Sequence, residues 1–215
     1  MVEKAIFKIT GSRVKLIVSG RTDAGVHALA QIANFHTSSL IPPDKLRLGL
    51  NALLPSDIKV SCVREVPFDF HSRFSSKAKL YRYTVLNRGH SSPLMEGKVF
   101  FYPHPLNLRL MRSESRCLLG RHDFTSFQAA LGRDKNPVKH IKSIKISQSG
   151  DLVRIDIEAD GFLYNIVRNI AGTLIQAAAG RFPRGRLKEI LKAKDSRLAG
   201  RTAPACGLCL LKVRY

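Results

Sequence analysis

The residues best placed by type and spacing to do chemistry crowd into one stretch, Gly20-Arg21-Thr22-Asp23-Ala24-Gly25-Val26-His27, the most unusual in the chain. Each also has an ordinary reading. An aspartate before Ala-Gly commonly caps its own turn, a loop arginine binds phosphate generically, and a lone loop histidine such as His27 serves RNA contact or backbone contact equally well. Two further candidates lie downstream. Within KAKLYRYTVLN, alternation puts Tyr81, Tyr83 and Val85 on one face of a strand and Leu80, Arg82 and Thr84 on the other. A flat aromatic face can stack on a nucleobase, whereas a half-buried strand tyrosine simply fills space, and Tyr83 fits that second description better. Arg168, taken alone, reads as a surface-facing arginine of a helix. Cys206 and Cys209 form a C-x-x-C, but no second pair or nearby histidine completes a tetrahedral zinc set, so apolar packing is the expected role.

Charge narrows the partners. Thirty-six Lys and Arg against 16 Asp and Glu give a formal net charge of +20, with most of the excess after residue 77. Such a field attracts polyanions, and nucleic acid is the first partner to test. Four cysteines in an otherwise ordinary composition argue against a secreted disulfide scaffold. No apolar run is long enough to span a bilayer, and Met1 to Gly20 lacks the pattern of a secretory signal, so no membrane partner is expected.

Several elements must carry these residues. VKLIVS (14–19) and QIANFHT (31–37) read as strands flanking the Asp23 loop. Pro42-Pro43 followed by leucines 46, 50, 53 and 54 predicts a helix ending before Pro55, with residues 58–66 returning as a strand. Residues 106–119 predict a helix with Leu108, Met111, Leu118 and Leu119 inward, stopped by Gly120, and residues 121–137 predict a loop. Two alternating segments around Ser149-Gly150-Asp151 predict an antiparallel hairpin. Apolar spacing then predicts a helix over 162–179 carrying Arg168, a short helix over 186–194 and a closing buried strand after Pro204. Mostly antiparallel strands with helices on one side indicate an α+β fold.

Three strings together resemble the signature of TruA-type tRNA pseudouridine synthases: GRTDAGVH (20–27), YRY (81–83) and DGFLYNIVRN (160–169). FHSRFSSKAKLYRY, GRHDFTSF and the terminal RTAPACGLCL are similar to the family as well, so the resemblance spans nearly the whole chain. It implies two ferredoxin-like (RRM-like) halves, here 1–76 with the Asp23 loop and 77–215 with Tyr81 and Arg168, whose antiparallel sheets lie side by side around a basic cleft. It also implies a homodimer and conversion of uridine to its C-glycoside isomer in structured RNA, chiefly the anticodon arm of tRNA, with no cofactor and no metal.

By the same resemblance Asp23 is the catalytic aspartate, which either attacks the uridine or removes a ribose proton. Both routes need the ionised carboxylate, which a water-excluding pocket disfavours unless a fixed cation stands beside it; Arg168 occupies that position. Tyr81 matches the tyrosine that lies against the uracil ring. Arg21 matches the residue that assists extrusion of the base, a step that costs a few kcal/mol of stacking and pairing. Arg82 and His27 are expected to contact RNA.

The family normally opens with a strand and a Gly-Trp-Gln element, and this chain has no tryptophan. Residues 1–8 are similar instead to the family's first helix, so the expectation is a chain short of that strand. An RNA-binding module without turnover is therefore the competing function, and a basic ribonucleoprotein assembly protein the third, although the latter leaves the GRTDAG and DGFLYNIVRN strings unexplained. A mitochondrial or cytoplasmic setting is expected.

Overall fold

In chain order the elements are α1 (Val2–Thr10), β1 (Ile17–Val18), β2 (His27–Ala28), β3 (Ala33–Asn34), α2 (Pro43–Leu53), β4 (Ala78–Leu86), β5 (Phe100–Phe101), α3 (Leu108–Ser115), β6 (Gly120–Asp123), β7 (Val138–Ser149), β8 (Leu152–Ala159), α4 (Ile166–Ala178), α5 (Arg186–Ala193) and β9 (Leu208–Arg214). The computed structural model describes residues 1–129 and 136–215. They form two compact units, Met1–Arg21 with Ile32–Ser75, and Thr22–Gln31 with Ser76–Tyr215. No helix among the described residues is long and apolar enough to cross a membrane.

The first unit is two helices over one short ladder. Pro43 opens α2, where a missing N–H costs nothing, and Leu46, Leu50 and Leu54 bury against Ala5 and Ile6 of α1. Leu53, of the same leucine series, is 47% exposed. The two flanking strands exist but are shorter than expected: β1 pairs antiparallel with β3 over two residues each. Residues 58–66 form no ladder among the described residues. The Asn51 side chain takes both the N–H and the C=O of Val60, each at 2.8 Å, so this backbone is satisfied by a helix side chain instead of a strand. Ile58, Val60 and Val63 still pack on the small core, which explains the alternating pattern that suggested a strand.

The second unit is a seven-stranded sheet in the order β2-β9-β4-β8-β7-β6, with β5 alongside β4. It is mostly antiparallel, as expected: only β2 with β9 and β4 with β5 run parallel among the described residues. The hairpin of β7 and β8 forms with Gly150 at φ 56° in its turn. Cross-strand partners Ile144, Ile157, Tyr81 and Leu210 share one face of the sheet, as do Ile146, Ile155, Tyr83 and Leu208. That face, with Met111, Leu118, Ile170, Leu174, Leu187 and Ile190 of the helical layer, makes the main core.

Three boundaries differ from the sequence reading. The helix expected over 106–119 is α3 capped by Asn107, whose side chain accepts from the Leu110 N–H at 2.9 Å, followed by a tighter 3-10 turn at Arg116–Leu118; Leu119 is 40% exposed. Within the expected loop, Gly120–Asp123 is strand β6 on the edge beside β7, and Thr125–Phe127 a 3-10 turn. Edge pairing is a backbone affair, so polar side chains concealed it. Residues 130–135 of that loop lie outside the described residues. Finally, α4 starts at Ile166, because Asn165 sits at φ 61° and breaks the helical path.

The Asp23 segment belongs with the second unit, since β2 adds to the sheet beside β9. The sequence reading assigned it to the first half.

Candidate active site

Asp23 is held at the start of a tight turn. The Val26 N–H donates to the Asp23 C=O at 3.1 Å, and Gly25, at φ 82°, occupies the position where a side chain would be strained. Immediately afterwards β2 locks onto β9 (His27 opposite Cys209, Ala28 opposite Leu210), and the Leu29 N–H donates to the Leu210 C=O at 2.9 Å. A loop residue is thereby fixed to a central strand.

Arg168 comes from the first turn of α4. Its Nη1 donates to Asp23 Oδ2 at 2.8 Å and to Asn165 Oδ1 at 3.0 Å, while Nε donates to the Ala203 C=O at 2.8 Å. The two charged side chains are 17% and 26% exposed. Three anchors on one planar group leave it little freedom to leave the carboxylate. Asp23 Oδ1 has no protein partner among the described residues, so half of the carboxylate stays available.

The segment that presents Ala203 is itself clamped to α4. The Ala203 N–H returns to the Arg168 C=O at 3.1 Å. Thr202 donates to the Asn169 side chain at 2.6 Å, Asn169 donates to the Phe127 C=O at 2.8 Å, and the Gly200 N–H donates to Thr173 at 2.9 Å. Backbone meets backbone here: a Cβ on Gly172 would lie 1.9 Å from the Arg201 carbonyl oxygen.

Tyr81 points inward from β4 and is 7% exposed, with its ring edge-on to Phe162 at 4.9 Å between centroids. Burial first, and the Asp23 charge second, push its phenol up to about 12. At neutral pH it is a neutral hydroxyl next to an anion, a donor rather than a base. Tyr83, two residues on, is fully buried; its hydroxyl donates to the Pro204 C=O at 2.8 Å and burial raises its pKa strongly. Tyr83 is structural, filling space in the core.

Asp23, Arg168 and Tyr81 thus come together within the second unit. Arg82 faces the opposite side of the sheet and is committed to Asp156 through two hydrogen bonds of 2.7 and 2.8 Å. Strand alternation sends it away from Tyr81, so its expected contact with RNA is not part of this cluster. His27 is exposed on β2, its Nε2 donating to the Gly97 C=O at 2.6 Å. Arg21 is exposed at the end of a segment of the first unit. Cys206 and Cys209 are half-buried, and burial raises the Cys209 thiol. No group of three or more His, Cys, Asp or Glu that could hold a metal ion occurs among the described residues.

The sequence reading missed Asn165, Asn169, Thr202, Phe162 and the Ala203 carbonyl as parts of this arrangement. A carbonyl acceptor leaves no trace in residue type. The glycine inside α4 at Gly172 and the RTAPA string were the available signals of close approach.

Comparison with known proteins gives this geometry its setting. The family described as tRNA pseudouridine synthase matches residues 1–75 and 115–215. A tRNA pseudouridine synthase A of Thermoanaerobacter sp. (strain X514) is 42% identical over 215 residues, covering 100% of this chain and 88% of that protein. Its counterpart in Clostridium acetobutylicum is 44% identical over 214 residues, with the same coverage, and that of Pectobacterium atrosepticum 40% over 215 residues, covering 76% of its own length. The aspartate turn, the helix arginine and the strand tyrosine all lie within stretches aligned with these relatives, and the chain belongs to the tRNA pseudouridine synthase family.

Proposed function

We propose that this protein is an RNA-modifying isomerase that converts uridine to pseudouridine in tRNA, with the anticodon arm as its target region. The observation that carries the reading is the 2.8 Å pair between Asp23 and Arg168 beside a buried tyrosine. The reaction breaks the N1–C1′ bond, forms C5–C1′, and moves one proton from C5 to N1. Nothing is oxidised or reduced and no atom is added, so the residues need only supply an anion, hold the base and shuttle a proton.

Asp23 is the anion. With Oδ2 held by Arg168, its free Oδ1 is the oxygen that attacks the nucleoside or takes a ribose proton. Arg168 aims the carboxylate, because its own position is set by the Ala203 C=O and Asn165. Tyr81 offers a face or edge to the uracil and, as a neutral phenol, a hydrogen bond. Arg21 assists extrusion of the uridine, its flat guanidinium standing where the base was stacked. His27 contacts RNA from β2, and two copies of the chain assemble as a homodimer, which sedimentation of the purified protein checks.

The test is direct. The chain is incubated with uridine-containing tRNA transcripts and the product mapped by carbodiimide modification and primer extension. Stops at anticodon-arm uridines support the reading; tRNA that is bound and returned unmodified would leave only a binding module.

A further inference from the structure

Outside the Asp23 site the second unit holds a cavity of about 490 Å³ lined by Arg116, Cys117, Asp123, Lys188, Lys192 and Lys194. Four cations face one carboxylate, and that carboxylate is already occupied: Lys194 pairs with Asp123 at 3.0 Å, and Thr125 donates to it from both its hydroxyl and its N–H. Lys194 reaches this position from a backbone at φ 53°, which an L side chain seldom adopts.

The plain alternative is the solvated face of an amphipathic helix. Leu187, Ile190 and Leu191 do form the buried stripe of α5, and Lys188 and Lys192, four residues apart, share a flank. Two observations argue against leaving it there. Arg116 is delivered from a different element, the 3-10 turn after α3, so the cations converge instead of spreading along one helix. The neighbouring carboxylates are also committed elsewhere: Glu189 to Arg186 at 2.9 Å, Asp195 to Arg197 at 2.7 Å, and Glu114 to the Gly185 and Leu187 N–H groups at the start of α5. Among the described residues Arg116, Lys188 and Lys192 have no ion-pair partner. Like charges gathered around a concavity repel unless an anion enters. Cys117 is not a competing explanation, since burial pushes its thiol up to about 11 and it contributes a neutral floor rather than a nucleophile.

We infer that this cavity is a second RNA contact, seating backbone phosphates of the substrate tRNA on Arg116, Lys188 and Lys192 apart from the uridine site. The inference rests on the proposed function for the identity of the polyanion. The net charge of +20 and the location of the cavity on a helix flank open to solvent suit a long polyanion better than a small one. Contacts of this kind set affinity and register without reading sequence.

The experiment measures binding of a labelled tRNA transcript to the full chain from about 50 to 200 mM salt. It compares the parent with a Lys188→Glu/Lys192→Glu double variant, a milder Lys188→Gln/Lys192→Gln pair, and a control of equal charge change at two exposed cations outside the cavity, Lys98→Glu/Arg109→Glu. Circular dichroism confirms that each is folded. The inference predicts at least about tenfold weaker binding for the Glu pair, an intermediate loss for the Gln pair, and a slope of log affinity against log salt lower by roughly two. The control should stay within about threefold of the parent. Equal losses in cavity and control variants would mean a general field only, and unchanged binding in the Glu pair would mean a solvated helix face; either overturns the site. Pseudouridine formation by the parent is scored separately. A parent that forms product while the Glu pair binds normally loses this site alone, whereas a parent without product whose affinity still depends on Lys188 and Lys192 loses the enzyme reading alone.

Discussion

Of the arginine–aspartate pairs within the second unit, the difference between two, Arg82 with Asp156 and Arg168 with Asp23, separates structure from chemistry. Arg82 and Asp156 are register partners on neighbouring strands and use both carboxylate oxygens, at 2.7 and 2.8 Å. Arg168 and Asp23 are 145 residues apart and use one. In the first pair nothing remains to react, so it acts as a crosslink across the open face of the sheet. In the second the arginine is also held by a carbonyl and an amide of its surroundings while the aspartate keeps an oxygen in hand. Geometry of this kind costs stability relative to a fully bonded pair and yields a charged group that is fixed yet available.

Substitutions sharpen the contrast in a definite order. Asp23→Asn should reduce pseudouridine formation by about 10³-fold or more, as for loss of a nucleophile or base, while affinity for tRNA measured by filter binding stays within about threefold. Arg168→Ala should cost roughly 10²- to 10³-fold in rate, the scale of losing one preorganised charged donor. Arg168→Lys should recover little of that in the same assay, because an ammonium cannot span Asp23, Asn165 and the Ala203 carbonyl at once. Tyr81→Phe should keep the rate within about tenfold if the ring matters chiefly as a surface, and Tyr81→Leu should lose more. At the small end, Arg82→Gln should leave the rate within about twofold and lower stability in urea melts by about 1 kcal/mol, as expected for a partly exposed pair.

Alkaline pH supplies a further check on Tyr81. Its folded-state pKa, about 12, lies above the unfolded value near 10, so its stabilising contribution is complete below about pH 10 and is lost as pH rises toward 12. Tyr83 acts in the same direction. Thermal melts of the Tyr81→Phe variant should therefore fall less steeply over that window than those of the parent.

Much of this was readable from residue order, and for identifiable reasons. Tyr81, Tyr83 and Val85 declared their shared face because a strand has a period of two, and the helix stripe around Ile170 and Leu174 because a helix has a period of 3.6. Turn chemistry at Asp23-Ala24-Gly25 was equally plain. What stayed hidden depends on partners distant in sequence. Strand β6 is drawn from Gly120-Arg121-His122-Asp123, whose side chains carry no apolar alternation, and its identity comes only from β7 beside it. Residues 58–66 looked like a strand because their apolar side chains do pack, yet the backbone bonds go to Asn51. Arg82, expected to contact RNA, pairs with Asp156 of the neighbouring strand, a partner that its own segment does not announce. The Ala203 carbonyl, which decides where Arg168 points, belongs to a backbone and could not have been chosen from sequence.

Uridine isomerisation depends, in the proposed reaction, on Asp23 held by Arg168 through a single oxygen. Single-turnover pseudouridine formation by Asp23→Asn, run beside binding of the same tRNA, tests it most directly. No measurable product is expected from a folded variant whose tRNA affinity is within about threefold of the parent's. Product at the parent's rate, or loss of folding and binding together with activity, would contradict it and make Asp23 a turn residue held in place by its arginine.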